Sequence, residues 1–163
     1  MYEFIFAFLI IMILYSVAYK YLADMTETVE RTDFTRTLNR MQAQLTLNVA
    51  SWYSTGKRVS KQQTVSQNPT SFLKSVPENY QGELHSDKQS ECRVSRWCYL
   101  TDKHWMIYRA KYTEELETSN TDKDILVYEL VISFTDQNTE VGLATAMTLK
   151  PVYEFTWQDV GFN

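Results

Sequence analysis

No glycine or proline interrupts this chain from Met1 until Gly56, and the stretch opens on a run of apolar residues. Such a sequence reads as a single helix of roughly fifty residues, about 80 Å long at 1.5 Å rise per residue. A compact domain built from the rest of the 163 residues cannot bury a rod of that length. The helix must therefore meet another solvent or another partner along half its length.

From Phe4 to Ala18 no residue is charged, and the only polar side chains are those of Tyr15 and Ser16. The stem of Lys20 can snorkel, which extends the run to Ala23 and to about twenty residues, near the minimum for a ~30 Å hydrocarbon core. Tyr15, Tyr19 and Tyr21 lie towards one end, where amphipathic rings favour the headgroup level. Residues 1–23 thus read as a transmembrane anchor with the lipid bilayer as partner. Two alternatives stand beside it. A cleaved signal peptide calls for a basic n-region and a small-x-small exit, and a soluble core helix calls for a larger core than the polar remainder offers. For orientation, Lys20, Arg31, Arg36 and Arg40 would by themselves hold the following segment in the cytoplasm. A long following domain weakens that rule, and the favoured reading is a single-pass inner-membrane protein with its C-terminal domain in the periplasm.

Residues 24–56 form the second unit, an amphipathic helix. Leu22, Met25 and Val29 recur at helical spacing, and Phe34, Leu38, Met41, Leu45, Val49 and Trp52 continue on a stripe that drifts round the cylinder. Glu27, Glu30, Arg31, Asp33, Arg36, Asn39, Arg40 and Gln44 are assigned to the opposite, polar face. Thr32 and Arg36 break a strict heptad, so the expectation is that Phe34–Trp52 packs on a sheet of the same chain while residues 22–33 form a partly bare stalk. Gly56 suits a left-handed C-terminal cap.

Residues 57–163 read as a β-rich domain. Lys57–Thr64 is expected to be an exposed connection, and Asn68-Pro69 to start a short helix that carries Phe72, Leu73 and Val76 and ends at Pro77. Arg93–Thr101 and His104–Thr113 read as a hairpin about Asp102-Lys103. Glu114–Asp124 is expected to be a mobile acidic loop. Ile125–Thr135 alternates, with Leu126, Tyr128, Leu130, Ile132 and Phe134 on one face. Val141–Leu149 and Val152–Trp157 follow, with Pro151 between them marking an edge. The fold class is α+β: a long N-terminal helix, transmembrane and then amphipathic, packed on an antiparallel sheet of about four to five strands.

Little here points to catalysis. The chain lacks a Gly-rich phosphate loop, a nucleophile elbow and HExxH, and neither an enzyme nor a small-molecule substrate or cofactor is expected. A formal charge of −4 with interspersed signs does not suggest nucleic acid. Cys92 and Cys98 enclose five residues, which fits neither CxxC nor the usual zinc spacing, and with His85 and His104 alone no metal site is expected. The pair reads as a candidate disulfide, with two reduced thiols as the alternative; if bridged, it places the body in an oxidising compartment. His104 reads as an exposed turn residue, and the carboxylates of Glu114–Asp124 as a solvated loop more readily than a weak calcium site. Glu3 is the one charge at the head of the apolar run. It is either an interfacial residue or a candidate assembly contact for a neighbouring subunit's N-terminal amine.

These elements resemble the type IV pilin and pseudopilin architecture. Asn68-Pro69, Phe72-Leu73 and Pro77-x-Asn79-Tyr80-x-Gly82-Glu83-Leu84, followed by Trp97-x-Tyr99 and Trp105-x-Ile107-Tyr108-Arg109, are similar to pilin-like accessory proteins of type IV pilus and type II secretion systems. Among those are the F-type biogenesis proteins of mannose-sensitive haemagglutinin pili. The likeness covers most of the chain and rests on turn residues and strand aromatics. It implies a pilin-like fold and pilus or secretion-machine proteins as partners, with the N-terminal helix as the contact. A processed pilin begins after a basic leader ending in Gly and carries Glu at its fifth mature position. Here Glu lies at position three with no Gly before Tyr2, which implies a membrane-retained relative over a polymerised minor pilin. A membrane-tethered periplasmic sensor, with Glu114–Asp124 facing a ligand, is the third reading.

Overall fold

The computed structural model describes residues 2–136 and 140–158; for residues 2, 3, 20, 21, 23 and 24 the description is of the backbone. One uninterrupted helix, α1, spans Tyr2–Ser54. Its end follows from the glycine expected there. Gly56 adopts φ 66°, and the N–H groups of Gly56 and Lys57 donate to the carbonyls of Tyr53 and Trp52 at 3.2 and 2.9 Å. These are the two bonds that satisfy the orphan carbonyls of a helix closed by a left-handed residue.

Among the described residues eight strands follow: β1 (Arg58–Ser60), β2 (Tyr80–Leu84), β3 (Arg96–Leu100), β4 (Trp105–Arg109), β5 (Leu116–Thr118), β6 (Ile125–Phe134), β7 (Val141–Pro151) and β8 (Phe155–Trp157). Six of them build one sheet in the order β1-β7-β6-β4-β3-β2, and β5 pairs with β8 in a separate ribbon. The four to five antiparallel strands expected from the sequence are therefore corrected to a six-stranded mixed sheet. The parallel pair is β2 with β3, in register from Tyr80↔Trp97 to Leu84↔Leu100. β2 was hidden by its residues: Tyr-Gln-Gly-Glu-Leu is short, polar and interrupted by Gly82 at φ 134°, where the register shifts. β1 was hidden by its length, three residues within a basic stretch expected to be a loop, before a one-turn helix α2 (Lys61–Val65) that Ser60 caps.

Other expectations hold or shift in detail. The hairpin of β3 and β4 closes with Leu100 opposite Trp105, and His104 takes the positive φ of 56° that a glycine would ordinarily supply. The helix expected from Pro69 to Val76 is only a 3₁₀ turn, Pro69–Phe72: Leu73 is already extended and Val76 is exposed. Pro151 ends β7, opposite Tyr128, instead of separating two strands of the main sheet.

The second half of α1 covers one face of the sheet. Phe34, Met41, Leu45 and Val49 are buried against Trp97, Met106, Tyr108, Leu126, Tyr128, Leu130, Ile132 and Met147. The alternation along β6 sends Leu126 through Phe134 to this side, as its pattern requires. Ile125 and Val127 point the other way, into a smaller core with Cys92, Cys98, Leu100 and Ile107. A side chain of α1 also protects the sheet's edge. β1 pairs only with residues 141–143 of β7, and farther along Gln42 bonds the exposed backbone: its Nε2 donates to Met147 O at 3.1 Å and its Oε1 accepts from Leu149 N–H at 2.9 Å. An unpaired strand edge is otherwise open to unwanted pairing.

Beyond the body, α1 projects alone. Among the described residues no helix is long and apolar enough to cross a membrane. The uninterrupted run with described side chains, residues 4–19, covers about 24 Å at 1.5 Å per residue, short of the ~30 Å hydrocarbon core. The expected span over residues 1–23 is thus not supplied by the described residues. It depends on positions 1–3, 20, 21 and 23, whose side chains lie outside them.

Candidate functional site

The largest exposed apolar surface of the described residues is the projecting arm of α1, the candidate for an interaction surface. Phe4, Phe6, Phe8, Ile11, Ile13, Leu14, Tyr15, Val17 and Tyr19 are each more than half exposed, all round the helix. Among the described residues, nothing in the body covers them. Scattered surface apolar residues need no explanation, but a contiguous patch of this extent marks a surface made for a partner or a membrane. Glu3, the candidate assembly contact, has its side chain outside the described residues.

Where the arm joins the body, the structure overturns the sequence assignment. Leu22, Met25 and Val29 are 62%, 46% and 63% exposed, whereas Glu27 and Glu30, expected on the polar face, are both 8% exposed. The Glu30 carboxylate accepts from Ser95 Oγ at 2.6 Å, from Tyr108 Oη at 3.0 Å, and from the backbone N–H groups of Lys111 and Tyr112 at 3.0 and 2.9 Å. The Glu27 carboxylate accepts from Glu115 N–H at 3.1 Å and from Trp157 Nε1 at 3.0 Å. A buried carboxylate is costly unless its lone pairs are met, and here converging donors meet them. These two acids fasten the base of the arm to residues 111–115 and to β8.

The signal for this was present in the stripe itself. At 100° per residue, Glu30 and Glu27 lie within about 40° of Phe34 on the helix, while Val29 and Met25 lie about 140° and 180° away. Extending the Phe34–Met41–Leu45 stripe backwards leads to the two glutamates, but residue type argued for the exposed apolar set.

Above the two acids sits an aromatic cluster centred on Phe34. Its ring stacks on Trp97 at 5.3 Å and 10°, and meets Tyr108, Trp157, Phe155 and Tyr128 at 4.9, 5.6, 6.2 and 6.3 Å. Burial raises the phenols of Tyr108 and Tyr128, with the Glu30 carboxylate adding to the effect at Tyr108, and raises that of Tyr99 to about 12. A raised folded-state pKa means that the fold holds the proton more tightly than the unfolded chain does. The stability linked to it is complete below about pH 10, the phenol's ordinary value, and drains as pH rises through the folded value. In an alkaline titration followed by phenolate absorbance, Tyr99 should ionise near pH 12, and Tyr108 and Tyr128 only together with unfolding; ionisation of these three near pH 10, ahead of unfolding, would contradict this packing.

The cysteines are joined: Cys92 and Cys98 form a disulfide with Cα atoms 6.2 Å apart, both fully buried. Arg109 secures the loop that the bridge closes. Its guanidinium donates to the carbonyls of Ser90 and Cys92 at 3.0 and 3.1 Å, and pairs with Asp124 at 2.8 Å. A loop this short gives a chain-entropy gain of roughly 2 kcal/mol. Reduction should lower unfolding stability by about that amount, read as a shift of the urea midpoint in the presence of a thiol reductant.

The acidic segment is not the free loop expected. Leu116 is buried, Glu117 pairs opposite Thr156 within the β5–β8 ribbon, Asp122 accepts from Gln89 Nε2 at 3.3 Å and Asp124 is taken by Arg109. A strand of three residues among carboxylates carries no alternation long enough to read. Among the described residues no three His, Cys, Asp or Glu side chains converge as metal ligands. His104 is exposed at its turn, with Nδ1 3.3 Å from Tyr99 Oη, and His85 lies 2.9 Å from Asp87. The structure brings neither to the acidic segment.

No family model matches the chain, and no curated protein or solved structure shows significant similarity to it.

Proposed function

We propose that this chain is a membrane-attached, non-enzymatic assembly component of a type IV pilus, of the mannose-sensitive haemagglutinin kind, or of a related secretion machine. It acts through protein contacts, with the β-rich body in the periplasm. The observation that carries this reading is the arm: an apolar helix exposed on all sides and rigidly continuous with a helix buried in the body. Residues 1–23 insert in the bilayer, and the acids at Glu27 and Glu30 set where the body begins. The buried disulfide supports an oxidising compartment.

The same all-round exposure also suits a helix packed among other helices in a filament, so a minor pilin is the second reading. A ligand-sensing module is less well supported, because its sensing segment, Glu114–Asp124, is pinned through β5, Asp122 and Asp124.

Alkaline carbonate extraction and protease treatment of spheroplasts test the proposal. The chain should stay with the membrane and its body should be digested from the periplasmic side. Extraction into the soluble fraction, or protection of the body, would overturn it. Recovery of the chain in sheared pili would select the minor-pilin reading.

A further inference from the structure

One groove on the body is apolar along its floor and positive at its rim. It runs between the second half of α1 and the 3₁₀ turn, with Trp52, Phe72 and Leu73 as its half-buried floor. The Trp52 and Phe72 rings meet edge to face at 5.7 Å, and Leu47, 70% exposed, extends the apolar surface outward. Among the described residues Lys57 and Lys74 are the only charged side chains that line it, and both are exposed. Lys57 Nζ lies 5.2 Å from the Trp52 ring centroid. One helical turn before Gln44, Arg40 Nη2 donates to Ser75 Oγ at 2.9 Å, which adds a third cation beside the residue that follows Lys74. The walls are already set: Gln44 Oε1 accepts from Lys74 N–H at 2.7 Å, and the Asn48 amide donates to Phe72 O. The groove encloses about 610 Å³. From Arg40 to Trp52 the helix axis advances about 18 Å, the length of about five extended residues.

We propose that this groove binds an extended acidic segment of a partner protein. One bulky apolar side chain seats on Trp52, Phe72 and Leu73, and carboxylates on either side of it reach Lys57 and Lys74. Charge complementarity selects the anion, because two lysines flank the floor and no carboxylate lines the groove to neutralise them. The floor selects an apolar anchor over a saccharide. Each sugar hydroxyl needs polar partners, whereas Gln44 Oε1, Asn48 Nδ2 and Ser71 Oγ are committed to backbone groups of the protein itself. Walls fixed before binding lose little freedom when the segment docks. This site does not rest on the proposed function, since it involves neither the apolar arm nor a membrane.

The test uses the full chain in non-ionic detergent, which occupies the apolar arm, and fluorescein-labelled hexapeptides read by anisotropy. The probe is Asp-Glu-Leu-Phe-Asp-Glu. One control replaces its acids by Asn and Gln, a second replaces them by Lys, and a third replaces Leu-Phe by Ser-Ser. The wild type should bind the probe at least about tenfold more tightly than each control, and less tightly as salt screens the pairs. Lys57→Glu/Lys74→Glu should weaken the probe by at least about tenfold and strengthen the lysine peptide by a similar factor. That gain also shows that the variant is folded. A wild type that ignores the probe at low salt, or binds it no better than the amide or Ser-Ser control, would overturn the proposal. So would a variant that keeps the probe, or one that loses it without gaining the lysine peptide. Polygalacturonate or oligothymidylate that displaces the probe at a lower concentration than unlabelled probe would assign the groove to another class of ligand and overturn it too.

Discussion

Phe34→Ala is expected to cost about 3–5 kcal/mol of unfolding stability. The ring is 3% exposed and lies against five other aromatic rings from β3, β4, β6 and β8. Truncation removes the transfer free energy of the ring and leaves a cavity whose walls are rigid rings, which collapse poorly. Phe34→Leu should retain part of the volume and cost about half as much. Urea unfolding of the full chain in detergent, followed by tryptophan emission, reads both effects, because Trp97 and Trp157 face the cavity. A loss below about 1 kcal/mol would mean that the second half of α1 is not the lid of this core.

Glu30→Ala is expected to cost about 3 kcal/mol or more, although it removes a charge from the interior. The reason lies in the partners left behind. Tyr108 Oη is buried, and Lys111 N–H and Tyr112 N–H have the carboxylate as acceptor. Each buried donor left unmet costs about 1–3 kcal/mol, offset in part where water enters. Glu30→Gln keeps the shape but turns an amide N–H₂ towards a ring of donors, so it should rescue only partly. Hydrogen exchange distinguishes this fastening from general packing. In Glu30→Ala the amides of Lys111 and Tyr112 should exchange faster while those of β6 keep the protection expected from global stability. Uniform acceleration across the sheet would instead mean that Glu30 matters only to overall stability.

Much of the architecture is legible in residue order. The absence of Gly and Pro before Gly56 dictates one long helix, Gly56 dictates its end, and the alternation of Ile125–Phe134 dictates which side chains face α1. The disulfide follows from Cys92 and Cys98 having no better partners. What is not legible shares a physical cause. β1, β2, β5 and β8 are three to five residues long, too short for a period to show, and they exist because a neighbouring strand offers backbone partners. Neither strand in the parallel pairing of β2 with β3 could show it from its own composition.

By itself the sequence determined that a helix too long for its domain would carry an apolar arm, and that Phe34, Leu38, Met41, Leu45, Val49 and Trp52 would face a sheet. Helical periodicity is a local property, and it survives into any fold. Only the tertiary structure decided that the stripe continues through Glu27 and Glu30 instead of Met25 and Val29. A carboxylate is polar in isolation and belongs in water. It becomes a buried fastening only once Ser95, Tyr108, residues 111–115 and Trp157, all distant in the chain, bring their donors to one place.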